Sequence, residues 1–373
     1  MLKQKNTLIQ FLRGIAILNV LGYHFFARWT MPIHSENLYP WGDRFSGVIP
    51  IKYGYLGVQL FFAISGFVIA TTLISSANFL DFWKKRFIRL FPSLVIIMPI
   101  LFITQKFFGV KPNDYGSDNA FSIITSIMLI HPSLTQSIYP GHVQIGWITG
   151  VLWSLWCEIQ FYLLVSCIYF FARKWNFLKL FITSCFAISA FGIFDVTSNG
   201  FLISHPAVDA LLILRQYIFW FGIGVIFSAA NQARSYKGLR LLLLTFSTFV
   251  VVIENLRAGR IFFLGNAYIT LFCLLAITAL YFISNDRQLT SPLFKPITAI
   301  GNASYEIYLW HESIFLTLLV VLGKLAPSTL VQWILFFSLV LLVSFAIPLT
   351  YKAANRISIF LKQRFSAEGR IGS

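Results

Sequence analysis

The sequence predicts an all-α polytopic membrane helix bundle, crossing about ten times with both termini cytoplasmic, on three observations. Of its 373 residues 57% are hydrophobic and 11% charged, with a mean hydropathy of +0.75, whereas soluble domains carry roughly a quarter charged residues. Apolar runs long enough to cross a bilayer as helices, roughly 17–25 residues each, lie near 8–26, 55–76, 92–110, 152–172, 177–196, 208–230, 239–256, 261–283, 300–322 and 329–350. Finally, the 29 Lys and Arg residues, against 13 Asp and Glu, fall between these runs rather than on one polar domain. Their excess therefore reads as membrane topology and not as a nucleic-acid surface.

The first run reads as a retained span. Met1-Leu-Lys-Gln-Lys precedes it, but no small-residue cleavage site follows, and the run contains Arg13 and His24. A central Arg costs ~3 kcal/mol on insertion scales, so ionisable residues in a span face a bundle interior or a wet cavity. Arg13 and His24 are eleven residues apart, about three turns, which places them on one helix face about 16 Å apart. Taken alone, this stretch fits a snorkelling Arg and a pore-lining His as well as a catalytic pair.

In the second run, Gly57, Gln59, Ser65 and Gly66 interrupt an aromatic sequence. Small and polar residues at this spacing allow close helix packing, and Ser65 is a candidate for lining a cavity. Next comes a basic loop, 81–91, with Lys84, Lys85, Arg86 and Arg89 ahead of Pro92. It fits an anchor on anionic lipid. The functional alternative is a phosphate site, because Lys85 and Arg89 share a helix face, as do Arg86 and Arg89, and Arg grips phosphate oxygens in a fork.

The run Asn119–Ile130 is only about a dozen residues long and reads as a re-entrant or interfacial piece. The span after it carries Ser154, Glu158 and Tyr162 at four-residue intervals, on one face. Glu158 would lie ~9 Å below the outer surface, at a depth similar to that of His24; a structural acid and a catalytic one both fit. Arg215 in the sixth span is a further buried cation that could balance Glu158 or Glu306. The ninth span places Ser304 and His311 on one face and Tyr305, Tyr308 and Glu312 on another, a polar content that argues for a cavity.

The positive-inside rule tests the span count, since one span more or fewer inverts every later loop. With ten spans and the N-terminus inside, nineteen Lys and Arg residues face the cytoplasm and eight the outside. Counting 119–130 as a span would move the Arg173-Lys174-Lys179 and Arg234-Lys237-Arg240 clusters outside. The longest loops, 27–54 and 111–151, then face outward with Trp29, Tyr39, Trp41, Tyr53, Tyr55, Tyr139 and Trp147. These fit a headgroup-level aromatic belt or, for some, sugar stacking. The expected organisation is one membrane domain, 1–373, with a short basic cytoplasmic tail, 351–373, no appended soluble domain and no internal repeat. The four cysteines lack metal-ligand spacing, so neither a disulfide framework nor a metal site is implied.

Five motifs, in this order, resemble the acyltransferase-3 family of bacterial integral-membrane acyltransferases, over nearly the whole chain. They are Arg13-Gly-Ile-Ala with His24; Phe61-Phe-Ala-Ile-Ser65-Gly66-Phe; Lys85-Arg86-Phe-Ile-Arg89-Leu-Phe-Pro92; Trp153-Ser154-Leu-Trp-Cys-Glu158-Ile-Gln-Phe161-Tyr162; and Ser304-Tyr305-Glu-Ile-Tyr308-Leu-Trp310-His311. The resemblance implies O-acylation of surface or secreted glycans, such as lipopolysaccharide O-antigen or exopolysaccharide, from cytoplasmic acyl-CoA, by a multi-pass protein of the bacterial inner membrane. It implies that Arg13 and His24 are the residues most tied to activity and that Lys85, Arg86 and Arg89 hold the donor. Many members have an acid where this chain has Gln59, which removes a charge partner there. Some relatives append an esterase-like domain, so this chain is expected to act alone or with a separate partner.

The chemistry orders the candidates. A sugar hydroxyl is a poor nucleophile at neutral pH, so direct transfer needs a base, and imidazole is the side chain whose ordinary pKa lies nearest 7. His24, near the outer end of its helix, is that base; His311, near the midplane, is its rival. Arg13 would orient the donor or stabilise charge on the thioester, and Glu158 would fix the imidazole tautomer. Ser65, Ser154, Tyr305 and His311 are expected to line the substrate cavity. An acyl-enzyme on His24 or Ser65 is the mechanistic alternative. Expected partners are acetyl-CoA or another acyl-CoA, the glycan acceptor and membrane lipids, with no metal and no nucleic acid. The acyl group and oligomeric state are open. A transporter or flippase of an anionic solute or lipid-linked sugar would use the same buried charges without acyl-CoA. A different membrane acyltransferase family, with one buried His, would leave Arg13 and the inner arginines without a common role.

Overall fold

A computed structural model describes residues 7–28, 43–45, 47–108, 119–138, 145–172, 176–197, 206–230, 242–243, 245–252, 269, 271–273, 275–276, 291–325 and 329–371. In chain order its helices are α1 (Thr7–Tyr23), continued by a π-helical turn (His24–Arg28), α2 (Ile49–Lys52), α3 (Leu56–Ile74), α4 (Phe79–Phe108), α5 (Phe121–Ile127), α6 (Pro132–Ile138) and α7 (Leu152–Phe171). Beyond these lie α8 (Phe177–Thr197), α9 (Pro206–Leu211), a 3₁₀ turn (Ile213–Gln216), α10 (Ile218–Ala230), α11 (Lys295–Asn302), α12 (Ser304–Leu325) and α13 (Thr329–Ile371). Among the described residues there is no strand.

Four described helices are long and apolar enough to cross a membrane: Thr7–Arg28, Leu56–Ile74, Phe79–Phe108 and Leu152–Phe171. Phe177–Ala190 and Ile218–Ala229 are shorter apolar helices. Of the expected span 239–256, residues 242–243 and 245–252 are described and helical, whereas 261–283 lies largely outside the described residues.

Two expectations change and two gain detail. The basic segment 81–91 is not a loop: it is helical, and α4 runs through it and through Pro92 and Pro99. Asp81 and Lys85, one turn apart at 2.9 Å, brace its start. The run 208–230 is not one helix but α9, a 3₁₀ turn and α10. The apolar piece 119–130 holds only the seven-residue α5, about 10 Å long and too short to span. α5 ends with Leu129 at φ 53°, a left-handed residue whose successor Ile130 donates its N–H to Thr125 O at 2.8 Å, the way helices commonly close at a Gly. The tail continues the last span, α13 running unbroken to Ile371 with Pro348 inside it.

The chain forms two compact units, the first from residues 1–27, 46–79 and 157–302, the second from 28–45, 80–156 and 303–373. Glycine contacts set the packing of the first. A Cβ on Gly14 would lie 2.2 Å from Ile297 O, one on Gly301 1.7 Å from Gln10 O, and one on Gly57 2.3 Å from Ala16 O. α1 therefore meets α11 and α3 backbone to backbone, the close approach that small residues permit where lipid offers no hydrophobic drive between helices. α3 and α10 meet likewise through Gly66 and Gly224. Beside that contact, Phe221 is stacked on Phe62 at 4.6 Å and on Phe161 at 4.1 Å, which ties in α7.

In the second unit, residues 145–151 form a buried irregular segment. Its carbonyls accept from side chains, Gly146 from Thr125 at 3.2 Å, Ile145 from Thr135 at 2.9 Å and Ile148 from Gln105 at 2.8 Å, while Ile148 N–H donates to Ser126 Oγ at 3.0 Å. Non-helical backbone at such depth requires partners of this kind. Trp147 lies here, 1% exposed and edge-on to the His131 ring at 4.7 Å. It belongs to the core and not to an interfacial belt, because this segment is folded inward. Trp29, Tyr39, Trp41 and Tyr139 lie outside the described residues.

Candidate active site

α1 carries Arg13, and the π-helical turn that continues it opens on His24; both residues are half-buried. Such turns change the angular phase of the residues beyond them and occur frequently at functional sites. His24 meets Tyr23 edge-on at 5.4 Å, and Tyr23 in turn meets Tyr55 at 5.6 Å. Gly14, beside Arg13, fixes how closely α1 approaches α11.

The same unit holds a cluster on Glu158. Its Oε1 accepts from Ser65 Oγ, supplied by α3, and from Tyr162 OH, one turn along α7, at 2.5 Å. Ser65 and Glu158 are thus brought together, and among the described residues the partners of Glu158 are these hydroxyls. Arg215, the cation weighed as its counter-charge, donates from Nη1 to Leu212 O at 3.1 Å within the 3₁₀ turn.

Gln160 was not among the sequence candidates. Its Nε2 donates to Ala210 O at 2.7 Å and its Oε1 accepts from Leu214 N–H at 3.1 Å. One side chain thereby satisfies both backbone groups freed where the α9–α10 helix breaks. The available signal was the polar pair Arg215-Gln216 inside an apolar run.

In the second unit, α4 presents the basic cluster. Arg86 is buried, its guanidinium 5.9 Å from the centre of the Phe82 ring; Lys85 is held by Asp81; Lys84 sits 5.2 Å over the Phe365 ring of α13; Arg89 is half-buried.

α12 supplies the remaining polar groups. Tyr305 OH donates to Leu90 O at 3.1 Å and Ser93 Oγ donates to Glu306 at 2.9 Å, so both residues bind α4. Ser154 and Tyr308 share a hydrogen bond of 2.8 Å. Glu312 accepts from Thr149 Oγ1 at 3.2 Å and Val151 N–H at 3.1 Å, capping the start of α7. His311, 1% exposed, donates from Nδ1 to Tyr308 O at 2.7 Å. The Ser154–Glu158–Tyr162 stripe thus divides: Ser154 bonds α12, whereas Glu158 accepts from both Tyr162 and Ser65. Among the described residues no three His, Cys, Asp or Glu side chains gather as a metal site. The four cysteines are free, Cys157, Cys185 and Cys273 buried.

Comparison with known proteins gives these motifs a common setting. The chain is 25% identical over 329 residues to O-acetyltransferase OatA of Staphylococcus aureus, 81% of this chain and 49% of that protein. It is 24% identical over 331 residues to peptidoglycan O-acetyltransferase OatA of Listeria monocytogenes, 81% and 48%, and 27% identical over 220 residues to Nodulation protein 10 of Rhizobium leguminosarum, 57% and 58%. The chain spans about half the length of the two OatA relatives. No solved structure matches. The acyltransferase-3 family model, described as an acyltransferase domain, matches residues 6–349 and so takes in all five motifs; the chain belongs to that family.

Proposed function

We propose that this chain is a membrane O-acyltransferase that moves an acyl group, acetyl by default, from acyl-CoA to a hydroxyl of an extracytoplasmic glycan. The observation that carries the reading is the family match over residues 6–349, which includes Arg13 and His24 of the apolar helix Thr7–Arg28. The relatives' names add O-acetylation and, for the Listeria protein, peptidoglycan, alongside O-antigen and exopolysaccharide as acceptor classes. We further propose ten spans in the bacterial inner membrane with both termini cytoplasmic, on the nineteen-to-eight distribution of basic residues.

In this reading His24 takes the proton of the acceptor hydroxyl as its oxygen attacks the thioester carbonyl carbon. The C–S bond breaks, and the imidazolium returns the proton to the leaving thiolate, giving free coenzyme A and an O-acyl ester. Arg13 steadies charge on the thioester oxygen. Lys85, Arg86 and Arg89 bind donor phosphates, which suits a fork-shaped, permanently charged guanidinium. Ser65 and Tyr162 hold Glu158 in place.

The test is acyl transfer by the purified protein in lipid, with acetyl-CoA and isolated glycan. His24→Gln should fold and bind acetyl-CoA yet lose ~10²-fold or more in kcat. A near-normal His24→Gln beside an inactive His311→Gln would overturn the assignment. Transport of an anionic solute without any acyl donor would favour a transporter, whose discontinuous helices the α9–α10 break resembles.

A further inference from the structure

The basic tail 351–373 is helical as far as Ile371: α13 continues past residue 350 and meets the basic start of α4 within the same unit. Ser358 Oγ donates to Ile88 O at 3.0 Å, and Lys84 lies over the Phe365 ring. These contacts run in opposite directions along the two helices, so interpolation brings Lys362 level with Lys85 and Arg86.

Helical phase decides which tail charges border this seam. Ala354, Ser358, Leu361 and Phe365 recur at four- and three-residue steps and form the packed face; Ala354 is 5% exposed. At 100° per residue, Lys362 and Arg364 lie roughly 70–90° to either side of that face, whereas Lys352 and Arg356 point away from it. All four are exposed. The nearby acid Asp81 is taken by Lys85. Among the side chains that the structure describes no acid pairs with Lys84, Lys362 or Arg364, and positive charge gathers along one seam.

We propose that the α4–α13 seam is a composite phosphate-binding site in which Lys84, Lys362 and Arg364 extend the Arg86/Arg89 cluster, making the C-terminal helix part of the donor site. This rests on the acyl-CoA reading above. Phosphate is also a lipid headgroup, but lipid would meet the outward face, where Lys352 and Arg356 accompany exposed Ile359, while the Arg364 guanidinium lies 5.6 Å from the Phe360 ring on the flank. Charges bordering the packed face suit a soluble polyanion that enters along the seam.

The experiment uses the full chain in nanodiscs of phosphatidylcholine and, separately, phosphatidylglycerol, with acetyl-CoA as the probe for calorimetric binding and for KM. The double variant Lys362→Gln/Arg364→Gln should raise Kd and KM about five- to tenfold in both lipids, with kcat at saturating donor within about twofold, and the effect should shrink at high salt. The control Lys352→Gln/Arg356→Gln removes equal charge from the opposite face and should leave Kd within about twofold. Lys84→Gln, made on α4, reproduces part of the loss if the seam is real and does not depend on the tail folding. Wild-type affinity in the seam variants, or an equal loss in the control pair, overturns the proposal. So does unchanged acetyl-CoA binding combined with weakened binding to phosphatidylglycerol vesicles, which would make the seam a lipid site. If the wild-type protein binds no acetyl-CoA in either lipid, the donor reading itself fails and this proposal with it.

Discussion

Replacing Gly66 with Ala tests whether the α3–α10 contact holds the Glu158 cluster. A Cβ there would sit 2.1 Å from Phe221 O and 2.9 Å from its carbonyl carbon, against ordinary contacts of 3.4–4 Å. The obstacle is backbone, so no rotamer change relieves it, and the helices must part by about 1.3 Å. Overpacking of this kind costs roughly 1–3 kcal/mol, while replacing a helical Gly returns up to about 1 kcal/mol. Ser65 is the preceding residue and moves with the helix, so weakening of its bond to Glu158 adds to the cost. A net loss of about 2 kcal/mol corresponds to a melting temperature lower by ~5 °C. Cys157, Cys185 and Cys273 are buried and free, so a thiol-reactive dye reports unfolding of purified protein in detergent. Gly224→Ala, meeting Ala63 O at 2.0 Å, should behave alike. The double variant should cost less than the two singles added, because helices already parted accommodate the second methyl. A Gly66→Ala protein melting at or above wild type would refute this account, as would strict additivity.

Ser65→Ala and Tyr162→Phe each remove one donor from Glu158 Oε1, and each should destabilise by about 1.5–3 kcal/mol, the range for hydrogen bonds to charged groups. The double-mutant cycle should show coupling, because the donors share one acceptor, and zero coupling energy would mean they do not. Gln160→Leu strands the backbone groups of Ala210 and Leu214 and should cost about 1–3 kcal/mol. Wild-type melting of that variant would show that the helix break does not need this side chain. The ten-span topology predicts that single cysteines at Arg173 or Arg234 resist labelling from outside. Labelling of either sinks it, while equal labelling near Ser126 from both faces marks a cavity-lining hairpin.

Helix type and the motif-bearing spans were legible because they depend on local composition. The features that stayed hidden depend on partners distant in sequence. Trp147 looked interfacial because Trp in an outer loop usually is; nothing local reveals that Thr125, Ser126, Thr135 and Gln105 satisfy a buried loop around it. The α9–α10 break was hard to see because no Gly or Pro lies between Leu211 and Ile218 and the compensating Gln160 lies on another helix. The α4 boundary was missed because a basic segment before Pro92 imitates a loop, although Pro within a long helix is tolerated when neighbours satisfy the freed groups.

The buried acids share one use, and it bears on which group moves the proton. Glu158 joins α7 to α3, Glu306 joins α12 to α4, and Glu312 joins α12 to the start of α7, each through hydroxyl or N–H donors. In lipid, where apolar burial does not favour one helix contact over another, such polar cross-ties carry helix pairing. A carboxylate occupied in this way is a poor mobile base, since accepting a substrate proton would also disturb the packing it secures. That leaves the imidazoles. His311 has Nδ1 committed to Tyr308 O and is 1% exposed, so a bulky, hydrated sugar reaches it only by opening α12. His24 is half-buried at a π-turn, and the proposal that it is the base rests on that difference in exposure.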